Sequence, residues 1–319
     1  MLTEILEELG FEVKIQFLSE SSCNLIVNPR KSPIVAIMTH LDTVPGEIPV
    51  RVEGEKIYGR GACDAKGQIV TLIWALSEVK ELNNVSIVFV GDEEEEGSGS
   101  LAYVNQYYPQ NALILEPTSL KLADSAKGNL EVLIEFIGEE KHGAIPNESD
   151  AFSKFMEFLS SLKQRFSFRI ISVHAGREDL YVTPSTCRVL IDITTNDWKK
   201  TYNELNEILA KYNARFEIVD FSNGWKTTGK LVDAFMDCMQ KAGILPILET
   251  YPAWTDATRL AEKNIPAIIF GPGDLSVAHT HREYISLNEI AKARDVLVRF
   301  IKYAENEEIE AKVVFLSEH

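Results

Sequence analysis

The chain has 319 residues, with 48 acidic against 32 basic side chains, a formal net charge of −16 and 45% hydrophobic content. Such a composition supports one large or two medium hydrophobic cores and excludes disorder as the default state. The acidic balance opposes phosphate backbones and anionic lipid, which argues against a nucleic-acid binder and against a protein held on a membrane by charge. Apolar runs such as residues 86–90 and 267–270 are too short to span a bilayer, and MLTEILEELGF lacks a signal-peptide profile, so a cytoplasmic protein is expected. Cys23, Cys63, Cys187 and Cys238 lie far apart without a CxxC pair, which points to isolated reduced thiols.

In chain order, residues 34–39 predict a buried strand, 66–80 a helix, 86–90 a strand, 101–108 a helix and 112–115 a strand. The order then changes. Residues 130–137 alternate as a half-exposed strand, followed by a helix at 151–164, strands at 167–173 and 187–194, a helix at 197–212 and a strand at 214–221. That βαββαβ order is ferredoxin-like. The first alternation resumes with helices at 231–242 and 257–263, a strand at 266–270 and a helix at 287–303. The expected fold is α/β, a mostly parallel central sheet with helices on both faces plus an inserted ferredoxin-like domain. Loss of pattern near Asp124 and Gly224 divides it into 1–123 with 225–319, and 124–224.

Five segments carry chemistry, most of them where a buried strand ends, which is where α/β sheets place ligands. Thr39-His40-Leu41-Asp42 offers an imidazole and a carboxylate that can hold its other ring nitrogen. By itself the pair also suits an ordinary hydrogen-bonded histidine. Asp64, in the glycine-punctuated GRGACDAKG turn, can reach a metal or cap the following helix. Cys63 beside it has no base fixed nearby and reads as packing. The run Glu93 to Glu96 is either a solvated charged loop or a set of carboxylates neutralised by a cation. Glu116 adds a carboxylate or a surface turn. The last segment, GPGDLSVAHTHREY, holds His279 and His281 two apart, on one face if the segment is extended. His40, Asp64, a glutamate near 93 to 94, Glu116 and His279 together form the nitrogen and oxygen donor set of a catalytic zinc-type site. One shared carboxylate suits two metals, and a spare glutamate suits a base.

HLDTVPG, GRGACDAKG, GDEEEEGSGS, LEPTS and GPGDLSVAHTHREY, in this order, resemble the di-zinc hydrolases that include acetylornithine deacetylase, succinyl-diaminopimelate desuccinylase, aminoacylase and glutamate carboxypeptidase. The look is closest to the acetyl-lysine and acetylornithine deacetylases of lysine and arginine biosynthesis. The resemblance implies two divalent ions, zinc or cobalt, with Asp64 bridging, His40 and Glu116 at one site, and Glu94 and His279 at the other. It implies Glu93 as the general base, or Glu94 with Glu95 as ligand if the register slips by one. It makes Asp42 the partner of His40, and the inserted domain a lid that also forms a homodimer. His142, in GEEKHGAIP, then steadies the oxyanion from the neighbouring subunit. His174, His281 and His319 receive no role.

The implied reaction is amide hydrolysis of an N-acyl amino acid, a small-molecule substrate, most like N-acetyl-lysine or N-acetylornithine deacetylation. The alternatives are a desuccinylase, a metallocarboxypeptidase or dipeptidase using Arg259 or Arg188 on a terminal carboxylate, and a catalytically silent binding protein. Residues 190–195 lack the arginine that often ends a lid strand in this family. Glu95, Glu96, Asp256 and Glu283 are candidates to line the pocket and favour a substrate with a free amine.

Overall fold

Runs of residues buried on both faces, such as Val35–His40 and Val85–Val90, become the interior strands of a central sheet. The computed structural model describes residues 1–79, 81–95 and 97–316, so the expectations attached to Lys80, Glu96 and His319 lie outside the described residues. The chain forms two compact units. One comprises Met1–Ala126 with Lys226–Val314, and the other comprises Lys127–Trp225 with the described residues Phe315 and Leu316.

In the first unit, Val35–His40 is parallel to Val85–Val90 on one side and to Asn111–Ile114 on the other, and Asn111–Ile114 is parallel to Ala267–Ile269. His40 stands level with Val90, and Met38 with Ile114. Continuing that register by two residues brings Glu116 level with His40 at the same edge. Because side chains alternate, Val35, Ile37, Ile87, Phe89 and Leu113 face the main core. There they meet Gly67–Ser77, Lys230–Lys241 and Leu287–Ala304, whose apolar stripes supply Leu72, Phe235, Phe300 and Ile301. Phe235 packs edge-on against Phe270 and Phe300 at ring centroid distances of 5.0 and 4.9 Å. Helices Ser98–Gln106 and Asp256–Glu262 pack together as a separate pair. No helix among the described residues is long and apolar enough to cross a membrane.

The second unit has a four-stranded antiparallel sheet in the order Ser167–Ala175, Thr186–Thr195, Gly128–Ile137, Ala214–Phe221. Every second residue of Gly128–Ile137 is buried, and Leu130, Val132, Ile134 and Phe136 pack against Phe155, Phe158 and Leu205. Sequence periodicity misses the short or edge strands, including Val13–Phe17, Cys23–Val27, Arg51–Glu53 and Lys56–Tyr58. The helix expected from residue 66 begins at Gly67, because Ala62–Lys66 forms an irregular turn.

Asp150 starts the helix Ala151–Leu162: its Oδ1 accepts the N–H groups of Phe152 and Ser153 at 2.9 and 3.1 Å, and its Oδ2 accepts the Ser153 hydroxyl at 2.6 Å. An N-cap carboxylate satisfies donors that the helix leaves unpaired. Asp150→Ala is expected to cost about 1–2 kcal/mol of stability, and Asp150→Asn less, as read by urea unfolding.

Candidate metal centre

The parallel register brings His40 and Glu116 to one edge, and the turn at Ala62–Lys66 brings Asp64 to meet them. His40 is 1% exposed, with Nε2 at 2.9 Å from Asp64 Oδ1 and 3.9 Å from Glu116 Oε1. On the other side, His279 Nε2 lies 3.3 Å from Asp64 Oδ2 and 3.2 Å from Glu94 Oε1. Asp64 thus turns one oxygen to each histidine. Two groups of residues, His40 with Asp64 and Glu116, and Asp64 with Glu94 and His279, each hold their donor atoms within 4.8 Å of one another.

The donor chemistry fits divalent ions of the zinc type, with imidazole nitrogen and carboxylate oxygen and no thiolate. Glu94 Oε1 is buried with no well-directed hydrogen bond, facing only the His279 ring nitrogen at 3.2 Å, an arrangement that a cation shared by the two would satisfy. The electrostatics agree. Burial, then the charges of Asp64, Glu93 and Asp256, push Glu116 well above the usual carboxylate range against the pull of His40. Burial likewise raises Glu93, with Asp256, Asp64 and Glu94 adding to it and His40 opposing. Burial drives Asp256 up to about 6 against the hydrogen bond from Ser100. So many carboxylates cannot all ionise without positive charge among them.

His40 and His279 stand among these acids. Burial opposes a charged His40, but Asp42, Asp64, Glu116 and Glu93 raise its pKa well above the ordinary histidine value. The Asp64 and Glu94 carboxylates push His279 up to about 10. Burial would raise Asp64, yet His279 and His40 hold it far below the usual range.

Asp42 serves His40 differently from the expectation. His40 Nδ1 is 3.0 Å from the Asp42 backbone carbonyl, while the nearest carboxylate oxygen is at 3.7 Å. Asp42 Oδ2 instead accepts the Glu94 N–H at 2.9 Å, which ties the two ligand segments together. Glu93 belongs to neither donor group, and Glu95 is exposed. His279 has a left-handed φ of +62° in a series of turns, so the segment is not extended and His281 does not join it. Cys63 is buried and its thiol is pushed up by burial, as packing requires. Gly271 permits the close passage beside Glu116, since a Cβ there would sit 2.6 Å from the Glu116 carbonyl oxygen.

Two of the proposed pocket carboxylates are buried, Asp256 near enough to Glu93 and Glu116 to raise both. Asp256 and Glu283 are each 1% exposed, and Glu283 is bonded to Arg60 and to backbone N–H groups. Arg60 and Glu283 are 223 positions apart, and the visible signal was two opposite charges inside motif segments with no ligand role. Arg259 lies 3.3 Å from Glu262 and 5.4 Å from the Trp254 ring. His142 lies on the second unit, where its Nδ1 accepts the Ala144 N–H at 3.2 Å.

A two-centre arrangement of this kind, on a largely parallel α/β sheet, defines a class of hydrolases. The chain matches Peptidase family M20/M25/M40 over residues 36–303 and belongs to that family. A LysW-lysine/LysW-ornithine hydrolase from Sulfurisphaera tokodaii is 27% identical over 302 residues, covering 89% of this chain and 86% of its own. A Pyrococcus furiosus protein bearing that name provisionally is 28% identical over 309 residues, covering 93% of this chain and 87% of its own. The fold is shared with a tripeptidase from Staphylococcus aureus, at a TM-score of 0.81 and 16% identity over 96% of this chain and 92% of that one.

A histidine nitrogen must lose its proton before it can bind a metal. His279, with its pKa pushed up to about 10 by Asp64 and Glu94, is charged at pH 7 in metal-free protein. Loading should therefore release protons at pH 7, that of His279 among them, and apparent affinity should rise as pH climbs toward the His279 value. Calorimetry in buffers of different ionisation enthalpy measures the release.

Proposed function

We propose that this hydrolase cleaves the amide bond of N-acylated diamino acids of the lysine and ornithine type, using two divalent ions, zinc or cobalt. The observation that carries the reading is the pair of donor groups sharing Asp64. The relatives' names for LysW-linked lysine and ornithine support the substrate class. Two cations bound there would lower the pKa of a water and polarise the scissile carbonyl.

The chain's own residues do the rest. His40 and Glu116 would hold one ion, Glu94 and His279 the other, and Asp64 would serve both. Glu93 accepts the proton of the attacking water and returns it to the departing amine. Its raised pKa suits a group that must hold that proton for a time. Asp42 keeps the His40 ring and the Glu94 backbone in step through its carbonyl and its carboxylate. The second unit serves as lid and dimerisation domain, with the boundaries near 124 and 224 that the sequence suggests. In a cytoplasmic homodimer, His142 of the partner subunit steadies the oxyanion. With Nδ1 accepting from Ala144, the neutral ring carries its proton on Nε2, as a donor must.

A peptidase reading is the second possibility, favoured by the shared fold with the tripeptidase. Comparing kcat/KM of zinc- or cobalt-loaded enzyme on acetylornithine, acetyl-lysine, LysW-lysine, succinyl-diaminopimelate and dipeptides ending in glutamate decides between them. The lysine and ornithine derivatives should lead the dipeptides by about tenfold or more, equivalent to about 1.4 kcal/mol. The reverse order replaces this reading with the peptidase. Glu93→Gln should retain both ions and lose about 10²–10⁴ in kcat, because an amide cannot take the water proton. Glu94→Gln should instead lose metal, read by elemental analysis beside circular dichroism.

A further inference from the structure

Asp64 can face two histidines only if its backbone is held, and the turn that carries it is not self-supporting. Asp64 and Ala65 have non-helical dihedrals, φ −135°, ψ 98° and φ −124°, ψ 22°. The N–H groups of Cys63 and Asp64 are therefore donors in need of an acceptor in a buried place. One atom accepts both. Glu283 Oε1 lies 3.1 Å from the Cys63 nitrogen and 3.2 Å from the Asp64 nitrogen. Its second oxygen, Oε2, accepts from Arg60 Nη1 at 2.7 Å. The Arg60 Nε–H is in turn donated to the Gly46 carbonyl at 3.0 Å.

Glu283 is 1% exposed, so its charge stays buried on the strength of this guanidinium and these two amides. It follows His279 by four positions, and Arg60 precedes Asp64 by four. One side chain thereby joins the segment carrying His279 to the turn carrying Asp64.

We infer that Glu283, braced by Arg60, is a positioning residue that fixes the Asp64 carboxylate for sharing between two metal ions. This rests on the reading of Asp64 as a shared ligand. A buried carboxylate of purely structural use would set the stability of the fold; a positioning residue sets metal affinity in protein that is already folded. Supporting groups behind metal ligands typically govern affinity by about 10- to 100-fold.

The experiment compares wild-type protein with Glu283→Gln, Arg60→Lys and Asp64→Asn. Each is stripped and titrated with zinc against a chromogenic chelator, after circular dichroism has shown it folded. Cobalt-loaded samples give the ligand-field spectrum as a readout independent of turnover. Glu283→Gln should bind zinc about 10- to 100-fold more weakly, with an altered cobalt spectrum, and Arg60→Lys should show a smaller loss in the same direction. Arg60 is the partly exposed end of the brace, so Arg60→Lys decides the question if Glu283→Gln does not fold. Wild-type affinity and spectrum in the folded brace variants, beside lost metal in Asp64→Asn, overturn the inference alone. Unchanged binding of two ions by Asp64→Asn overturns the shared-ligand reading and the inference with it.

Discussion

The geometry of the site hangs on one carboxylate that has to serve two imidazoles at once. Asp64 does so with Oδ1 toward His40 and Oδ2 toward His279, and every neighbouring acid is arranged around that division. His40 ends one strand and Glu116 lies two residues beyond the end of its parallel neighbour, where the Leu115 N–H still bonds the Met38 carbonyl, so sheet spacing largely sets their separation. Glu94 and His279 come from loops beyond strand ends and need separate restraint. Asp42 restrains Glu94 by accepting its N–H, and the brace at Glu283 restrains the segment of His279.

Local backbone conformations fit this need. Asp92 and His279 both have left-handed φ values, +70° and +62°, which are uncommon for residues other than glycine. Such conformations persist where surrounding contacts over-determine them, and they cluster at functional sites. Asp92 is held from two sides, its carbonyl accepting the Gly97 N–H at 2.7 Å and its carboxylate accepting the Ser98 hydroxyl. The turn between them then presents Glu93 and Glu94 in different directions, so that two adjacent glutamates have different surroundings.

Much of the architecture was legible because its signals are local. The runs at 34–39 and 86–90 are apolar on both faces, which a central parallel strand demands, and 130–137 alternates because one face of its sheet lies on helices. Donor residues at strand ends could be read for the same reason: a strand end is a place that sequence can mark. The strands at Arg51–Glu53 and Lys56–Tyr58 were not legible, being three residues each, too short for any period. The Arg60 and Glu283 pair was not legible either, since charge complementarity across 223 positions has no local trace. Reading Glu283 as a pocket acid followed from proximity in sequence to His279. The structure shows that proximity used for support of the backbone instead.

The same distinction explains why metal chemistry can be argued further than substrate choice. A metal needs few donors at fixed spacing, and the donor types narrow the ion. Substrate choice depends instead on side chains carried by loops, whose positions few local signals fix. With Asp256 and Glu283 buried, Glu95 is the described acid of that set still exposed, and a single exposed charge discriminates weakly. The larger electrostatic effect comes from the acids Glu93, Glu116 and Asp256, whose charges act on one another around His40.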